Sequence, residues 1–190
     1  MNIWVTSDQH FQHKNILKYC PESRPFSSVE EMNNILINNW NSIVQPDDIV
    51  YVLGDICMGA AEDVSKYINR LMGKIILVIG NHDTNKKVEY YKQCSNVIDI
   101  IPYEILFHKG TFYVMNHFPV EGDYKNQHLK ERYHWQDCMD FFQENKDNCV
   151  WLYGHVHDNA PHGLVDGTFH IGVDTNNLTP VLLDDIVDMI

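Results

Sequence analysis

Short apolar runs alternate with polar and helical stretches along this chain. The runs at 2–7, 49–53 and 74–79 are far too short to cross a membrane and are typical of buried strands. Stretches with helical periodicity separate them, which predicts parallel strands joined by right-handed helical crossovers. An alternating run at 111–115 and an apolar run at 149–153 predict two further strands.

The best-marked helix is predicted between the first two strands, from about residue 28 to residue 44. Ser28 and Glu31 have the spacing of a capping box at its start. Its apolar residues recur at steps of three and four, which predicts one stripe packed in the core. The stripe consists of Val29, Met32, Leu36, Trp40 and Ile43.

The remaining elements are less sharply marked. A second helix is predicted at about 60–71, with Gly73 as its C-cap. The apolar stretch at 97–107 is rich in strand formers and is interrupted by a proline. The tail segments at 169–173 and 180–183 predict a final hairpin or strand pair that closes a sheet edge.

The composition is that of a soluble globular protein, with 44% hydrophobic and 21% charged residues. The N-terminus has neither a basic region nor a signal-peptide core, so we expect a cytoplasmic protein without membrane attachment. The five cysteines form no CxxC pair and predict buried, reduced thiols. A net charge of −12 argues against an extended nucleic-acid surface, but permits a local site where metal ions supply positive charge.

Side chains able to bind metal or to move protons follow five of the apolar runs. They are Asp8-x-His10, Gly54-Asp55, Gly80-Asn81-His82-Asp83, His117 and Gly154-His155-x-His157. Gly80 is expected to permit a sharp turn, because glycine tolerates dihedrals that other residues do not. Each block alone is compatible with an ordinary polar loop. Five such blocks in order, all at strand ends where ligands bind in α/β sheets, predict one shared cleft.

These residue types suit two-metal chemistry. Imidazole and oxygen ligands together favour Mn, Fe, Zn or similar ions over Mg. Two cations about 3.5–4 Å apart can clamp both oxygens of an in-line displacement, and a water bound to them becomes the nucleophile. Asp55 has two oxygens and can bridge two ions. His82 could stabilise the developing charge or protonate the leaving oxygen. Asp83 either orients His82 or bonds its own backbone turn.

In their order, the blocks resemble the motifs D-x-H, G-D, G-N-H-D/E, H and G-H-x-H of the calcineurin-like metallophosphoesterase superfamily. The resemblance extends from residue 2 to about residue 173, and the D-x-H-F-x-H version at 8–13 looks like small bacterial and phage-type members. It implies an α/β fold, a four-layer α/β/β/α sandwich of two mixed sheets. It also implies a catalytic role for His82 beside the phosphate. The implied metal ligands are Asp8, His10 and His157 for one ion, Asn81, His117 and His155 for a second, and Asp55 as the bridge.

The resemblance therefore implies a hydrolase with two divalent ions, Mn favoured, that cleaves phosphodiesters or small phosphomonoesters by attack of a metal-bound hydroxide. Protein Ser/Thr phosphatases of the superfamily carry an arginine soon after the G-D block. Residues 54–59 read Gly-Asp-Ile-Cys-Met-Gly, which counts against that substrate class. The alternative is a non-catalytic metal-binding scaffold for protein–protein interaction, although such members tend to lose the histidine that His82 provides here.

Residues outside the blocks have weaker support. His13 and Arg24, in the loop after the first block, are candidate substrate contacts or solvated surface residues. Asp174 lies near the end of the chain and is interpreted as an ordinary turn residue. Histidines without motif support are interpreted as surface or packing residues: His108, His128, His134, His162 and His170.

The stretch at 121–148 breaks the strand rhythm and is interpreted as a helical insertion in a single domain spanning 1–190. Its aromatic residues must bury against the domain, a second subunit or a substrate, since exposed aromatics commonly mark interfaces and pockets. We predict that the segment forms a wall of the cleft and sets substrate choice. The aromatic residues are Tyr124, Tyr133, Trp135, Phe141 and Phe142.

Overall fold

The computed structural model describes residues 1–121 and 131–189. Its first sheet has five strands. Four of them pair in parallel, in the order β1 (Ile3–Thr6), β2 (Ile49–Leu53), β3 (Lys74–Val78) and β4 (Val97–Ile101). The short strand β10 (Val181–Leu182) adds to β1 in antiparallel orientation. The predicted parallel pairing is therefore confirmed.

The second sheet also has five strands, in the order β5-β6-β7-β9-β8. The inner pairs β6–β7 and β7–β9 are parallel, whereas β5–β6 and β8–β9 are antiparallel. Both sheets are thus mixed, as predicted. The strands are β5 (Glu104–His108), β6 (Thr111–Met115), β7 (Cys149–Tyr153), β8 (Leu164–Val165) and β9 (Thr168–His170).

Alternate residues of each strand pack in different layers. In β2, Val50 and Val52 face a core shared with the helices, while Tyr51 and Leu53 face the second sheet. Helix α5 (Trp135–Glu144) covers the opposite face of the second sheet. These three apolar cores separate four layers, so the predicted α/β/β/α sandwich is confirmed. The other helices are α1 (Ile16–Tyr19), α2 (Val29–Ile43), α3 (Ser65–Ile68), α4 (Asn85–Tyr91) and α6 (Leu183–Val187).

Helix α2 has the predicted apolar stripe, but the hydrogen bonds at its N-terminus differ from the predicted capping box. Met32, Leu36 and Trp40 are buried, and the two outer stripe residues pack partly buried beside them. The Ser28 hydroxyl accepts a hydrogen bond from the Glu31 amide at 3.1 Å. The Glu31 carboxylate, however, accepts from the amide and hydroxyl of Ser27 instead of the Ser28 amide. The reciprocal half of the capping box is therefore displaced by one residue.

The predicted second helix at 60–71 is wrong in its extent. A 3₁₀ turn at Ala61–Asp63 is followed by the single-turn helix α3, which ends at Ile68. The Asn96 side-chain amide donates to the carbonyls of Ile68 and Leu71, so these carbonyls are satisfied without further helix. Gly73 is not a helix C-cap, and its φ of +89° belongs to the turn into β3.

The tail segments do not pair with each other as predicted. Strand β9 lies in the second sheet, and β10 lies at the edge of the first. The hairpin in this region is instead β8–β9, joined by Asp166 and Gly167. Both turn residues have positive φ, which is the geometry that an Asp-Gly hairpin turn requires.

The described aromatic residues of the 121–148 segment pack against the domain. Phe142 is buried against Trp151 of β7, and Trp135 and Phe141 pack on the same cluster. The Trp135 indole donates to the Pro119 carbonyl at 2.9 Å. Of the three predicted partners for these side chains, the domain is the one they contact. Tyr124 and His128 lie outside the described residues.

The state of the cysteines and the lengths of the helices bear on two further predictions from the sequence. All five cysteines are free and buried, which confirms the expected reduced thiols. Within residues 1–121 and 131–189, no helix has the length and apolar character that a membrane span needs.

Asp48 ties the start of β1 to the turn before β2. Its carboxylate accepts hydrogen bonds from the Asn2 amide at 2.7 Å, the Trp4 indole at 3.0 Å and the Gln45 amide at 3.0 Å. Burial alone would raise the pKa of Asp48, but these hydrogen bonds hold it below its usual range.

We expect Asp48→Asn to cost more stability at about pH 7 than at about pH 3, because an ionised carboxylate is what these donors hold. A carboxyl group with a depressed native pKa stabilises the fold above its unfolded pKa of about 4, and this contribution is lost as pH falls. Urea denaturation of both proteins at the two pH values measures it. An equal difference in unfolding free energy at both pH values would contradict the assignment.

Candidate metal centre

The predicted ligand residues meet at the carboxyl ends of strands from both sheets. Asp8 and His10 follow β1, and Asp55 follows β2. His117 follows β6, and His155 follows β7. The hydrogen bond from the Asp8 amide to the Gly54 carbonyl, 3.1 Å long, holds the first two loops together.

Asp55 occupies the centre of this arrangement. Its Oδ2 lies 3.5 Å from His117 Nε2, 3.7 Å from His10 Nε2 and 3.9 Å from His82 Nε2. Asp8 Oδ1 lies 3.6 Å from the same His10 nitrogen. Imidazole and carboxylate atoms thus face one another across a space that a small cation can fill.

Among the groups of potential ligand atoms that lie within 4.8 Å of one another, two share Asp8. One group joins Asp8, His10 and His157, and the other joins Asp8, Asp55 and His117. Asn81 extends the second group, since its Oδ1 lies 2.8 Å from His117 Nε2 and 2.9 Å from His155 Nδ1. The structure therefore brings all seven predicted metal ligands together.

The unpaired atoms of this cluster fit a divalent cation. Asp8 Oδ1 and His10 Nε2 are buried and have no hydrogen-bond partner among residues 1–121 and 131–189. Buried polar atoms in native proteins almost always have a partner, so each such exception requires an explanation. A metal ion that prefers mixed nitrogen and oxygen ligands would satisfy both atoms at once.

Charge also favours a cation at this site. Burial would raise the pKa of Asp55, but His117 and His10 lower it below its usual value. Burial likewise would lower the pKa of His117, but the facing Asp55 and Asp8 raise it. The pKa of Asp8 is also below its usual range, because His10, His117 and His157 outweigh the effect of burial. Both carboxylates therefore remain ionised at neutral pH, and the histidines opposite them compensate part of the charge that a cation would neutralise.

The ligand loops have an unusual backbone. Left-handed φ values occur at Asp8 (61°), His10 (53°), Asp55 (56°), His155 (73°) and His157 (53°). Non-glycine residues seldom adopt this conformation, and where they do it commonly marks a functional site. This conformation turns each ligand loop sharply at the end of its strand and brings the ligand side chains back over the sheet edge.

Gly80 has a different role from the one predicted. Its φ is not positive, so it does not supply the sharp turn. A Cβ at Gly80 would instead overlap the Asp55 carboxylate and approach the Asp55 amide at 2.8 Å. The glycine is required because the third loop approaches the central carboxylate closely.

His82 lies beside the cluster and remains accessible. Its side chain is 43% exposed, whereas that of Asp55 is 2% exposed. The His82 amide donates to Asp55 Oδ1 at 2.8 Å, which fixes the loop relative to the central carboxylate. The ring centroids of His82 and His10 are 5.6 Å apart. A substrate can therefore reach His82 from solvent.

Asp83 joins two ligand loops and does not orient the His82 ring. Its Oδ2 accepts from the amides of Asp55 and Gly80, both at 2.8 Å, and Oδ1 accepts from the Tyr91 hydroxyl at 2.7 Å. The hydrogen bond from the Gly80 amide is the predicted bond within the backbone turn. The hydrogen bond from the Asp55 amide, however, joins residues that are 28 positions apart in the sequence. Asp83 thus fixes the central carboxylate through the backbone.

We expect Asp83→Ala to lower the free energy of unfolding by at least about 2 kcal/mol. Two buried amides would lose their acceptor, and each unpaired donor costs about 1–3 kcal/mol. Asp83→Asn is the matched control, because its amide oxygen can still accept from both amides while the Tyr91 hydroxyl turns to accept from its NH₂ group. Chemical denaturation compares the two, and equal losses would contradict this account.

The two candidate substrate contacts occupy different environments. His13 is partly exposed, and its Nδ1 lies 3.1 Å from His10 Nδ1, at the rim of the cluster. Arg24 is only 1% exposed, so the surface position expected for it is wrong. Its guanidinium lies beneath the cluster, where four N–H groups donate to protein oxygens and the fifth to the Met32 sulfur.

Asp174 lies in a turn, as predicted, but it is more than a turn residue, because its carboxylate is buried and contacts the site. Its Oδ2 lies 2.8 Å from His157 Nδ1, and Arg24 forms an ion pair with it. No local sequence signal marks this role, since Asp174 and Arg24 are 150 positions apart.

Most histidines without motif support are surface or packing residues, as predicted. His170 is buried and its Nδ1 lies 2.7 Å from the Thr175 hydroxyl. His108 bonds the exposed Asp184 at 2.7 Å. His134 and His162 are on the surface, and His128 lies outside the described residues.

The family model for calcineurin-like phosphoesterases matches residues 1–159, which include every strand-end block. The chain belongs to this family. Membership supports a hydrolase that acts on phosphate esters, and it implies divalent metal ions, for which the ligand groups above are candidates.

Relatives of this family member come from an archaeon, a phage and a bacterium. An uncharacterized protein of Methanocaldococcus jannaschii is 37% identical over 135 residues, 68% of this chain and 72% of that protein. The Gene 66 protein of Mycobacterium phage L5 is 26% identical and covers 100% of this chain and 94% of its own length. The crystal structure of a protein of unknown function from Aquifex aeolicus, 29% identical, aligns with a TM-score of 0.75 over 100% of this chain and 99% of that one.

Proposed function

We propose that this family member is a dinuclear metal-dependent phosphoesterase that hydrolyses phosphodiesters or small phosphomonoesters. The observation that carries the proposal is the position of Asp55, whose Oδ2 lies within 3.9 Å of nitrogens from His10, His82 and His117. A carboxylate that faces His10 of one ligand group and His117 of the other is suited to bridge two cations.

One ion would be held by Asp8, His10 and His157, a second by Asn81, His117 and His155, with Asp55 shared. Manganese is favoured, with iron and zinc as alternatives, because the donors are imidazoles mixed with oxygens. When bound, the two ions would neutralise phosphate charge and make a coordinated water more acidic.

His82 would act on the leaving group. Its ring is accessible and lies at the edge of the ligand cluster, so a phosphate ester in the cleft can contact it. A histidine in this position can donate a proton to the departing oxygen or stabilise its charge. Asp83 keeps the His82 loop in place, because its carboxylate accepts hydrogen bonds from the amide of Gly80 in the same loop and from the amide of Asp55 in the neighbouring loop.

The substrate class follows from what surrounds the centre. The G-D loop at 54–59 carries no arginine, which disfavours phosphoprotein substrates. The net charge of −12 disfavours binding along an extended nucleic acid. Five free cysteines suit a reducing cytoplasm, where we place the protein. Small phosphodiesters and phosphorylated metabolites remain as the favoured substrates.

Within the described part of the 121–148 segment, Arg132 and Tyr133 are the residues best placed to affect substrate choice. Arg132 Nη2 donates to the Asp83 carbonyl at 2.7 Å, and the Tyr133 hydroxyl lies 3.4 Å from the Gly80 carbonyl. Helix α5 packs on the outer face of the second sheet instead. We therefore restrict the proposed role in specificity to Arg132 and Tyr133.

Metal analysis followed by two assays tests the proposal. The protein purified without chelator should contain transition metal, and removal of metal with EDTA should abolish hydrolysis that Mn²⁺ restores. Bis(nitrophenyl) phosphate and mononitrophenyl phosphate compare diester with monoester turnover. Mn²⁺ binding without hydrolysis of either ester would instead support the metal-binding scaffold.

A further inference from the structure

We propose that Asp174 is a positioning residue that fixes the orientation and tautomer of His157, and that Arg24 holds Asp174 in place for this purpose. The inference rests on the metal site of the proposed function and adds a segment that the family match does not include. The match ends at residue 159, whereas Asp174 follows β9 in the C-terminal part of the chain.

The His157 ring has a different neighbour on each side. Its Nδ1 lies 2.8 Å from Asp174 Oδ2. Its ring centroid is 4.8 Å from that of His10, and one of its nitrogens belongs to the ligand group with Asp8 and His10. A neutral imidazole carries one N–H, so donation from Nδ1 to Asp174 leaves the Nε2 lone pair for a metal.

Arg24 determines where the Asp174 carboxylate lies. Its Nε donates to Oδ1 at 2.6 Å and its Nη2 donates to Oδ2 at 2.9 Å, a two-point contact that fixes the carboxylate plane. The same guanidinium donates to the carbonyls of Asp8 at 2.6 Å and Gln9 at 2.8 Å. One buried cation therefore aligns the first ligand loop and, through Asp174, the last.

Asp174 is better explained as a partner of His157 than as a metal ligand. Cys20, His157 and Asp174 do form a group with metal-ligand spacing. However, both Asp174 oxygens accept from Arg24, and Oδ1 also accepts from the Ser23 hydroxyl at 3.0 Å. A guanidinium already neutralises the charge that a second cation would need, so no metal is assigned there.

A buried carboxylate behind a metal-binding histidine has a measurable effect. Such partners fix the ring and increase its basicity, and their loss typically weakens metal binding about 10- to 100-fold. We expect calorimetric titration with Mn²⁺ to show this weakening for Asp174→Asn. The matched control is Asp184→Asn, which breaks a His–Asp contact of 2.7 Å between His108 and Asp184, with no ligand residue involved. Its Mn²⁺ affinity should equal that of the wild type.

Because Asp174→Asn leaves the buried Arg24 without its counter-charge, a second variant separates folding from binding. Arg24→Met combined with Asp174→Leu replaces the ion pair by apolar side chains, an exchange that is often neutral for stability. This double variant lacks the His157 partner and also the Arg24 bonds to the Asp8 and Gln9 carbonyls, so its Mn²⁺ binding should be weakened at least as much as that of Asp174→Asn. Wild-type affinity in it would overturn the inference.

A measurement on the unchanged chain tests the tautomer directly. In metal-free protein at alkaline pH, where no metal selects the tautomer, long-range ¹H–¹⁵N spectra should show neutral His157 protonated at Nδ1, and protonation at Nε2 would overturn the inference. An ion pair with only a structural role would not determine this tautomer. Absence of Mn²⁺ binding by the wild type would refute the proposed function itself, whereas equal binding by wild type and variants would refute only the role of Asp174.

Discussion

Asp55→Asn is expected to lower turnover by at least about 1000-fold and to reduce bound metal. Removal of one electrostatic stabiliser typically costs about 100- to 1000-fold, and this change also removes the charge of the bridging ligand. The substituted amide would present an NH₂ group or a neutral oxygen to His10 and His117, which lie 3.7 and 3.5 Å from Asp55 Oδ2. Steady-state kinetics with metal analysis of the same preparation measures both effects.

The same substitution at an exposed carboxylate provides the control. The Asp47 side chain is 88% exposed, and its contact with Lys74 is on the surface. Asp47→Asn should keep full turnover and full metal content, because surface ion pairs contribute little. Full metal content together with full turnover in Asp55→Asn would contradict the dinuclear proposal.

His82→Ala is expected to reduce turnover by about two to four orders of magnitude, the usual contribution of a positioned proton donor. Metal content should be nearly unchanged, because the His82 ring is half exposed and lies outside the two ligand groups. Single-turnover kinetics under saturating Mn²⁺ would separate this chemical effect from any effect on product release.

An exposed histidine without partners in the cluster gives the comparison. His162→Ala should retain the turnover of the unmodified protein, since His162 is on the surface. If His82→Ala loses a metal ion, the role of His82 changes from catalyst to ligand. If it keeps both its metal and its turnover, another group must assist the leaving oxygen.

Strand positions and the ligand blocks could be predicted from the sequence because both depend on short-range patterns. The apolar run at 74–79 became β3 (Lys74–Val78), and the run at 149–153 became β7 with the same bounds. Strands buried on both faces show as continuous apolar runs, and the polar residues that follow mark the sheet edge. Convergence of the blocks then follows from parallel pairing.

Features that depend on distant contacts could not be predicted in the same way. At the early end of α3, the carbonyl of Ile68 accepts a hydrogen bond from Asn96, which lies 28 positions away. Gly80 is required by a side chain of another loop rather than by its own dihedrals. The link between Arg24 and Asp174 joins two ordinary loop residues, and only the folded chain brings them together.

The left-handed backbone of the ligand loops affects which amino-acid substitutions would stabilise this protein. Each non-glycine residue in that conformation costs about 1–2 kcal/mol relative to relaxed backbone, and Asp8, His10, Asp55, His155 and His157 all adopt it. Glycine at any of these positions would relieve the strain but remove a ligand. Directed evolution toward heat resistance alone would therefore favour loss of the centre, so a library must be screened for metal retention as well.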